Sequence, residues 1–331
     1  MSNSVNPADI HKTMLDRQKL EHRRRLILNL VLLALLLVAP MVMYPVFLMK
    51  ILCFALFAVA FNLLLGFTGL LSFGHAAFLA SGAYTTGYLL TTFSGLSTEL
   101  GIIAGTLVAT LLGLGFALVA IRRQGIYFAM ITLALSQLVF FFFVQSSFTG
   151  GEDGLHGIPR GQFLGLIDLN DNLNMYYFVL AVFLAGYLLV QRIVGSPYGQ
   201  VLKAIKQNEP RAISLGYNVN RYKIIAFVIS AGLAGLAGSM KTVVFQLASL
   251  NDAHWHMSGE VILMTLLGGT GTLLGPVVGA AFVVNLEYQL SQGPLGDWVD
   301  AILGGIFVLT VLMFQSGIVG QVQKFMKKNI G

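Results

Sequence analysis

Long apolar stretches, each separated from the next by a short polar segment, repeat from Leu26 nearly to the C-terminus. A helix needs about 20 apolar residues to cross a bilayer, so the 331 residues leave room for roughly eight to ten spans. The runs are continuous rather than alternating, which is unlike the strands of a membrane β-barrel. The pattern therefore predicts an all-α polytopic membrane protein with glycine-rich broken or re-entrant segments.

The composition indicates the same class, because 56% of the residues are hydrophobic and 10% are charged, against about 25% charged in soluble domains. The net charge of +6 does not indicate nucleic-acid binding, since the basic residues lie at the ends of the apolar runs. The single Cys53 excludes an intrachain disulfide and argues against a cysteine metal cluster. We therefore expect the lipid bilayer as a partner, with neither nucleic acid nor a metal site.

The N-terminal segment permits two interpretations. Arg23, Arg24 and Arg25 precede the apolar run Leu26–Ala39, as in a signal peptide. The run continues to Met49 without a clear small-residue cleavage site, which favours an uncleaved first span. We expect a cytoplasmic tail at residues 1–25, a transmembrane domain at 26–317 and a cytoplasmic tail at 318–331.

The basic residues predict the orientation of the spans. The predicted segments lie at about 27–45, 47–66, 76–93, 101–121, 126–147, 175–193, 222–247, 258–290 and 299–316. With a cytoplasmic N-terminus, seventeen Lys and Arg residues fall inside and three fall outside, namely Lys50, Arg160 and Lys241. Both termini are then cytoplasmic, provided that segment 258–290 enters the membrane and returns.

Two glycine-rich interruptions are candidates for a translocation pathway, because non-helical backbone inside a membrane is tolerated only in packed protein or beside a wet cavity. Glu260 is a further candidate as an intramembrane acid, although an exposed first-turn glutamate is an equal alternative. For His75, the competing interpretation is a packed structural histidine. The candidate pathway residues are Gly66, Thr68, Gly69, Ser72, His75, Glu260, Gly268, Gly269, Thr270 and Gly271.

The polar segment at about 195–221 predicts a helix–turn–helix on the cytoplasmic side. Ser196 and Pro197 form a helix-start signal, Glu209-Pro210 starts a second short helix, and Gly216 can end it in a left-handed conformation. Val201, Leu202 and Ile205 make a narrow apolar stripe. The segment is either an interfacial helix bound to anionic lipid or a docking element for a soluble partner, and in the second case we expect the interface to depend on this stripe and on Gly216.

This segment resembles the coupling loop of ABC importer permeases, which contains Glu-Ala-Ala, three residues and Gly. Ala212 and Gly216 keep the last Ala and the Gly, whereas Pro210 and Arg211 replace the first two positions. The stretches 69–78, 123–134, 149–155, 231–238 and 258–279 make the chain similar to the LivM branch of branched-chain amino-acid permeases over residues 45–316. The resemblance implies that the residues contacting an ATPase include Gln200, Lys203, Ala204, Glu209, Ala212 and Gly216.

The resemblance also implies partners: two ATPase subunits, a second related permease in a heterodimer, and an extracytoplasmic substrate-binding protein. The chain lacks the Gly-x-x-x-x-Gly-Lys-Ser/Thr motif that cradles nucleotide phosphates, so ATP and Mg would be used by the partner subunits and no cofactor by this chain. No nucleophile–base set stands out, so no enzymatic activity is expected.

The expected function is therefore the import of branched-chain or related amino acids across the inner membrane. Urea or short amides are alternative substrates. A gradient-driven secondary transporter is an alternative of another class, although such a protein would need embedded charges for ion coupling, and this chain offers little besides Glu260, His75 and Lys241.

Overall fold

A computed structural model describes residues 34–93, 95–163, 165, 167–293, 296–313 and 317–321. The chain is predominantly helical in these residues. The helices are α1 (Pro45–Thr68), α2 (His75–Thr92), α3 (Thr98–Ala120), α4 (Ile126–Gln145), α5 (Asn172–Gly195), α6 (Pro197–Gln207), α7 (Glu209–Ser214), α8 (Val219–Phe245), α9 (Trp255–Gly268), α10 (Gly275–Ser291) and α11 (Val299–Met313). Four two-residue strands are β1 (Leu155–His156), β2 (Gln162–Phe163), β3 (Ile167–Asp168) and β4 (Leu247–Ala248).

Five of these helices, α1, α3, α4, α5 and α8, are long and apolar enough to cross a membrane. Together with the shorter helices, they confirm the predicted all-α polytopic class. Of the first predicted span, 27–45, residues 27–33 lie outside the described part of the chain. Residues 34–38 are helical, and a 3₁₀ turn follows at Ala39–Met41. The C-terminal tail from residue 322 also lies outside the described part.

The core is built where α1, α2, α3 and α8 pack together. Small residues permit this close approach: a Cβ on Gly82 would collide with the Gly235 backbone, and one on Gly238 would collide with the Leu79 carbonyl. The hydroxyl of Ser239 donates to the Gly82 carbonyl at 3.1 Å, which adds a hydrogen bond between α2 and α8. Small residues are the usual means of helix association in lipid, where burial from water contributes little.

Segment 258–290 folds as the predicted pair of helices around a glycine break. Helix α9 ends at Gly268, and α10 begins at Gly275 and packs back against α9. Pro276 lies in the first turn of α10, where its missing N–H is tolerated. A side chain on Gly268 would collide with the Gly275 carbonyl and one on Gly279 with the Met264 carbonyl, so glycine is required for this hairpin to close.

The segment between α4 and α5 carries short strands rather than a further span. β2 and β3 form a hairpin, and β1 pairs with β4, which follows α8. Arg160 fixes this segment to the end of α8, because its guanidinium donates to Asn172 Oδ1 at 2.8 Å and to the Val244 carbonyl at 2.7 Å. Burial lowers the pKa of Arg160 below its ordinary value.

Candidate functional site

The 195–221 loop forms the helix–turn–helix that the sequence predicts. The Ser196 hydroxyl accepts from the Gly199 N–H at the start of α6, and Asn208 Oδ1 accepts from the Arg211 N–H at 3.0 Å at the start of α7. Gly216 follows α7 with φ of +88°, a conformation that side chains with a Cβ rarely adopt. Local capping alone therefore accounts for where both short helices begin and end.

The apolar stripe of α6 faces the protein itself. Leu202 and Ile205 are buried, and Ile205 packs with Ala212 and Val219 in a small separate core. The interpretation of this stripe as the surface presented to a partner is corrected by this arrangement, because α6 needs these side chains to fold against α8. Ala212 is likewise buried within the chain, with 2% of its surface exposed.

Two contacts brace the loop against α8. The Lys223 ammonium donates to both carboxylate oxygens of Glu209, at 2.8 and 2.7 Å, and only 4% of the Lys223 side chain is exposed. Tyr198 stacks on Tyr222 and donates its hydroxyl to the Tyr222 carbonyl at 2.8 Å. Burial raises the pKa of Tyr198 above its ordinary value, so this hydroxyl remains a donor. The loop is therefore fixed to the first turns of α8.

A third contact joins the loop to α1. The Lys206 ammonium donates to the Gly66 carbonyl at 2.7 Å, and Lys203 lies over the Phe67 ring at 5.8 Å from its centroid. Gly66 belongs to the last turn of α1, whose carbonyls lack helical partners and carry partial negative charge. Burial against α1 lowers the pKa of Lys206. The lysine therefore caps the helix end at which the first glycine break begins.

The opposite face of the loop is open. Among the ATPase-coupling candidates, Gln200, Ala204 and Gly216 are exposed, while Lys203 and Glu209 are half-buried. Beside them lie two apolar side chains of high exposure, Ile213 at 57% and Leu215 at 68%. Tyr217 is also exposed. The apolar stripe of α6, read from the sequence, did not predict this second, exposed apolar face.

The two glycine breaks meet at Asn62. Its Nδ2 donates to the Thr272 carbonyl at 2.8 Å, and its Oδ1 accepts from the Gly271 N–H at 3.0 Å. A Cβ on Gly66 would lie 2.7 Å from the Gly271 nitrogen, so the backbones of the two breaks are in contact. Asn62 thus bonds the second break to the helix that Lys206 caps. The two segments predicted as pathway candidates are one structural unit.

The remaining break residues show why these sequences interrupt helices. Gly69 has φ of +78°, Gly269 of +120° and Gly271 of +75°, all in the region that favours glycine. The buried Ser72 hydroxyl accepts from the Gly74 N–H at 3.1 Å, and the Thr68 hydroxyl donates to the Leu64 carbonyl. Gly268 is buried and Thr270 half-buried beside them. The Gly74 N–H and the Gly66 carbonyl at the two sides of the first break are thus paired within the protein.

His75 lies in an enclosed aromatic setting rather than beside the meeting point of the breaks. It is fully buried, with the rings of Phe61, Phe78 and Phe227 at its edge or face. Its Nε2 is 2.9 Å from the Ser230 hydroxyl, which donates to the Ala60 carbonyl at 2.5 Å. Since that hydroxyl proton is used, Nε2 carries the imidazole proton. This geometry favours the packed structural histidine.

Glu260 lies far along the bundle from the 195–221 loop. It interacts electrostatically with Glu287, Lys50, Lys241 and Asp252. Lys50, one of these neighbours, is sixteen residues from Gly66 on α1, which is about 24 Å along the helix. Glu260 therefore belongs to a second polar region, separate from the glycine breaks.

The chain as a whole matches a known family. The model described as "Branched-chain amino acid transport system / permease component" matches residues 43–311, which contain the breaks, the 195–221 loop and Glu260. The chain belongs to this family. The resemblance seen in the sequence motifs is thereby confirmed, and the chain is a member of a transport-permease family.

The names of individual relatives of the permease specify different transported substrates. The high-affinity branched-chain amino acid transport system permease protein LivM of Salmonella typhimurium is 26% identical over 293 residues, covering 82% of this chain and 68% of LivM. LivH of the same organism is 23% identical, covering 81% and 91%. The autoinducer 2 import system permease LsrC of Klebsiella pneumoniae is 29% identical, covering 60% and 57%. No solved structure matches the chain.

Sequence reasoning missed two residues at the centre of the permease. Asn62 was unremarkable among apolar neighbours, although an amide inside a spanning run is itself a signal of a polar contact. Lys206 was not among the candidate residues, and its bond to Gly66 depends on the packing of α6 against α1. Contacts between residues more than a hundred positions apart leave no local pattern.

Proposed function

We propose that this permease is a membrane-spanning subunit of an ABC importer, forming part of the pathway for branched-chain or related amino acids and driven by partner ATPase subunits. The observation that carries the proposal is the bond between Lys206 and the Gly66 carbonyl. It links a surface-exposed helix–turn–helix directly to the point where both glycine breaks meet. A partner that moves the loop would thereby move the end of α1.

Movement of the 195–221 loop would be transmitted through the contacts that hold it to α1 and α8. Glu209 and Lys223 hold α7 to α8, while Lys206 holds α6 to α1. Because the apolar stripe is buried between these helices, the loop would shift as one body rather than unfold. Asn62 would pass the displacement of α1 to the Gly271 break.

The proposed assembly contains two ATPase subunits, a second related permease and an extracytoplasmic binding protein. Support comes from the family and from LivM and LivH, both named as permease proteins of one high-affinity transport system. We place the 195–221 loop and both termini in the cytoplasm, because seventeen of twenty basic residues then lie inside. The inner membrane is the proposed location.

For the transported substrate, amino acids are favoured over urea or short amides because the family description and the names of LivM and LivH specify branched-chain amino acid transport. A gradient-driven transporter has less support. Of its candidate coupling groups, Lys241 is paired with Asp252 and His75 is enclosed by aromatic rings. The name of LsrC specifies a different transported substrate, autoinducer 2, so similarity to relatives does not by itself identify the substrate.

The test is assembly with the ATPase. We expect Ile213→Asp and Leu215→Asp to abolish copurification and stimulated ATP hydrolysis, because each places a charge in an apolar contact without disturbing the fold of the exposed face. The matched control is Arg211→Gln with Arg221→Gln, two exposed basic side chains outside the ATPase-contact candidates, whose loss would disturb a lipid-bound helix more than a docked one. Normal assembly of both aspartate variants, with loss in the control, would reject the docking role.

A further inference from the structure

A cavity of about 670 Å³ lies where α5 meets α6, at the end of α5 that the charge pattern places on the cytoplasmic side. Its volume is in the range of small-molecule sites. Ser196 joins the two helices, because it ends α5 and caps the start of α6. This α5–α6 cavity is lined by residues from the end of α5 and from the joint: Leu188, Gln191, Arg192, Gly195, Ser196 and Pro197.

The lining of the cavity carries a cation without a counter-ion. Arg192 is exposed, and the three ion pairs among the described residues join other side chains. No acidic side chain lines the cavity within that part of the chain. The Ser196 hydroxyl is already used, since it donates to the Ile193 carbonyl at 2.7 Å. An arginine that no carboxylate neutralises favours an anion, and its guanidinium matches the geometry of a phosphate.

The Gln191 amide beside Arg192 is also free to bind. Its Oε1 atom is buried without a hydrogen-bond partner among the described residues, and none of them bonds to the rest of the amide. Its NH₂ group is therefore available as a donor to an anion that Arg192 attracts. The cavity thus offers one positive charge and a second hydrogen-bond donor.

The position of the cavity in the bilayer distinguishes a lipid phosphate from a soluble one. Helix α5 has 24 residues. Its length of about 36 Å exceeds the ~30 Å hydrocarbon core, so Arg192 in the last turn lies at the level of the head groups. One turn earlier, Leu188 and Leu189 are 56% and 48% exposed, at a depth where acyl chains surround the helix. A lipid can contact the arginine with its phosphate and the leucines with an acyl chain, whereas a soluble phosphate makes no use of the leucines.

We propose that the α5–α6 cavity binds the head group of an anionic phospholipid from the cytoplasmic leaflet. Arg192 binds the phosphate, Gln191 donates to a second phosphate oxygen, and Leu188 contacts the first part of an acyl chain. A net negative head group compensates the charge of Arg192, whereas phosphatidylcholine brings an ammonium charge of its own. Because Ser196 joins α5 to α6, the bound lipid also holds the start of the 195–221 loop at the membrane surface.

The experiment measures the lipid preference at this position by tryptophan fluorescence of the full-length permease in vesicles. Leu189→Trp is the reporter, and Trp255→Phe and Trp298→Phe remove the two native tryptophans. Brominated acyl chains quench a tryptophan that they contact. Mixtures of phosphatidylglycerol and phosphatidylcholine, with each lipid brominated in turn, therefore give the relative affinity of the two lipids beside the reporter. We expect a preference of about fivefold for phosphatidylglycerol, which is the effect of one basic residue at an anionic surface.

Two variants separate the cavity from a general surface charge. Arg192→Gln removes the charge and should reduce the preference to about onefold. Gly195→Phe keeps the charge and should also remove the preference, because nothing lies within 4 Å of an added Cβ and the ring can occupy the cavity. Arg123→Gln is the matched control. It removes an exposed arginine of the same predicted side outside the cavity, and it should keep the fivefold preference.

Three results would overturn the site: no preference in the reporter protein, an unchanged preference in Arg192→Gln or Gly195→Phe, or an equal loss in Arg123→Gln. Inorganic phosphate added to the reporter protein separates the two sources of phosphate. A lipid site keeps its preference in phosphate as it does in chloride of the same ionic strength. Loss of the preference in phosphate alone would assign the cavity to a soluble anion and would reject the lipid.

Discussion

At the scale of single residues, Asn62 has the most consequential contacts, because one amide satisfies two backbone groups of the second glycine break. Its donor and its acceptor are both used, by the Thr272 carbonyl and the Gly271 N–H. The side chain is buried, with 1% of its surface exposed.

Asn62→Leu should therefore lower the stability of the permease, since it leaves two backbone groups unpaired while keeping the side-chain volume. Two net hydrogen bonds correspond to about 2 kcal/mol. Thermal unfolding in detergent measures the loss. Asn220→Leu, at an exposed position in the first turn of α8, is the control and should unfold as the wild type does. Equal unfolding temperatures of the two variants would contradict the role of Asn62.

The ion pair between Lys223 and Glu209 permits a second test at this scale. Lys223→Met removes a deeply buried ammonium group and should destabilise the 195–221 loop by about 3 kcal/mol, since Glu209 is then left unpaired. Adding Glu209→Gln should restore at least half of this loss. The rate of proteolysis within the loop reports the difference. Additive losses in the double variant would show that the two groups do not interact.

At the scale of elements, the end of α1 explains how a helix stops inside a packed bundle. Gly69 takes a left-handed conformation, and the Leu70 N–H donates back to the Leu64 carbonyl at 3.4 Å. Glycine makes this left-handed ending possible. Lys206 then caps the Gly66 carbonyl from outside the helix. The break is thus specified both by its own sequence and by a distant helix.

Gly69→Leu and Gly271→Leu should each abolish substrate uptake while membrane insertion stays largely intact. Both positions have positive φ, so a leucine strains the backbone whether or not space is available. Gly115→Leu is the matched control, because Gly115 is helical with no atom within 4 Å of an added Cβ. Normal uptake by both break variants would remove these segments from the pathway.

Sequence reasoning succeeded for the elements whose signals are local. The predicted start signals Ser196-Pro197 and Glu209-Pro210 and the turn at Gly216 lie beside the helix ends that they specify, and continuous apolar runs specify α1 and α8. It failed to predict which surface covers the apolar stripe of α6. An apolar stripe shows that a helix face is buried, but whether a partner or the same chain covers it depends on tertiary packing.

At the scale of the whole molecule, the charge pattern predicts how the chain is oriented in the membrane. The packing of the helices alone does not test this orientation. Gln207→Cys in the 195–221 loop should be labelled by impermeant thiol reagents only from the cytoplasmic side, and Asp153→Cys only from the opposite side. Both positions are exposed, and the one native thiol, Cys53, is buried, so background labelling should be low. Labelling of both from the same side would refute the topology.

The continuity of α1 has a thermodynamic consequence for the transporter. One uninterrupted helix carries Lys50, which is ion-paired with Glu287, near its first turn and the Lys206-capped Gly66 in its last. If binding at one end of α1 changes the affinity for a partner at the other end by some factor, that partner changes the affinity at the first end by the same factor. A solute that changes the affinity of the 195–221 loop for the ATPase will therefore have its own affinity for the permease changed by the same factor when the ATPase is docked.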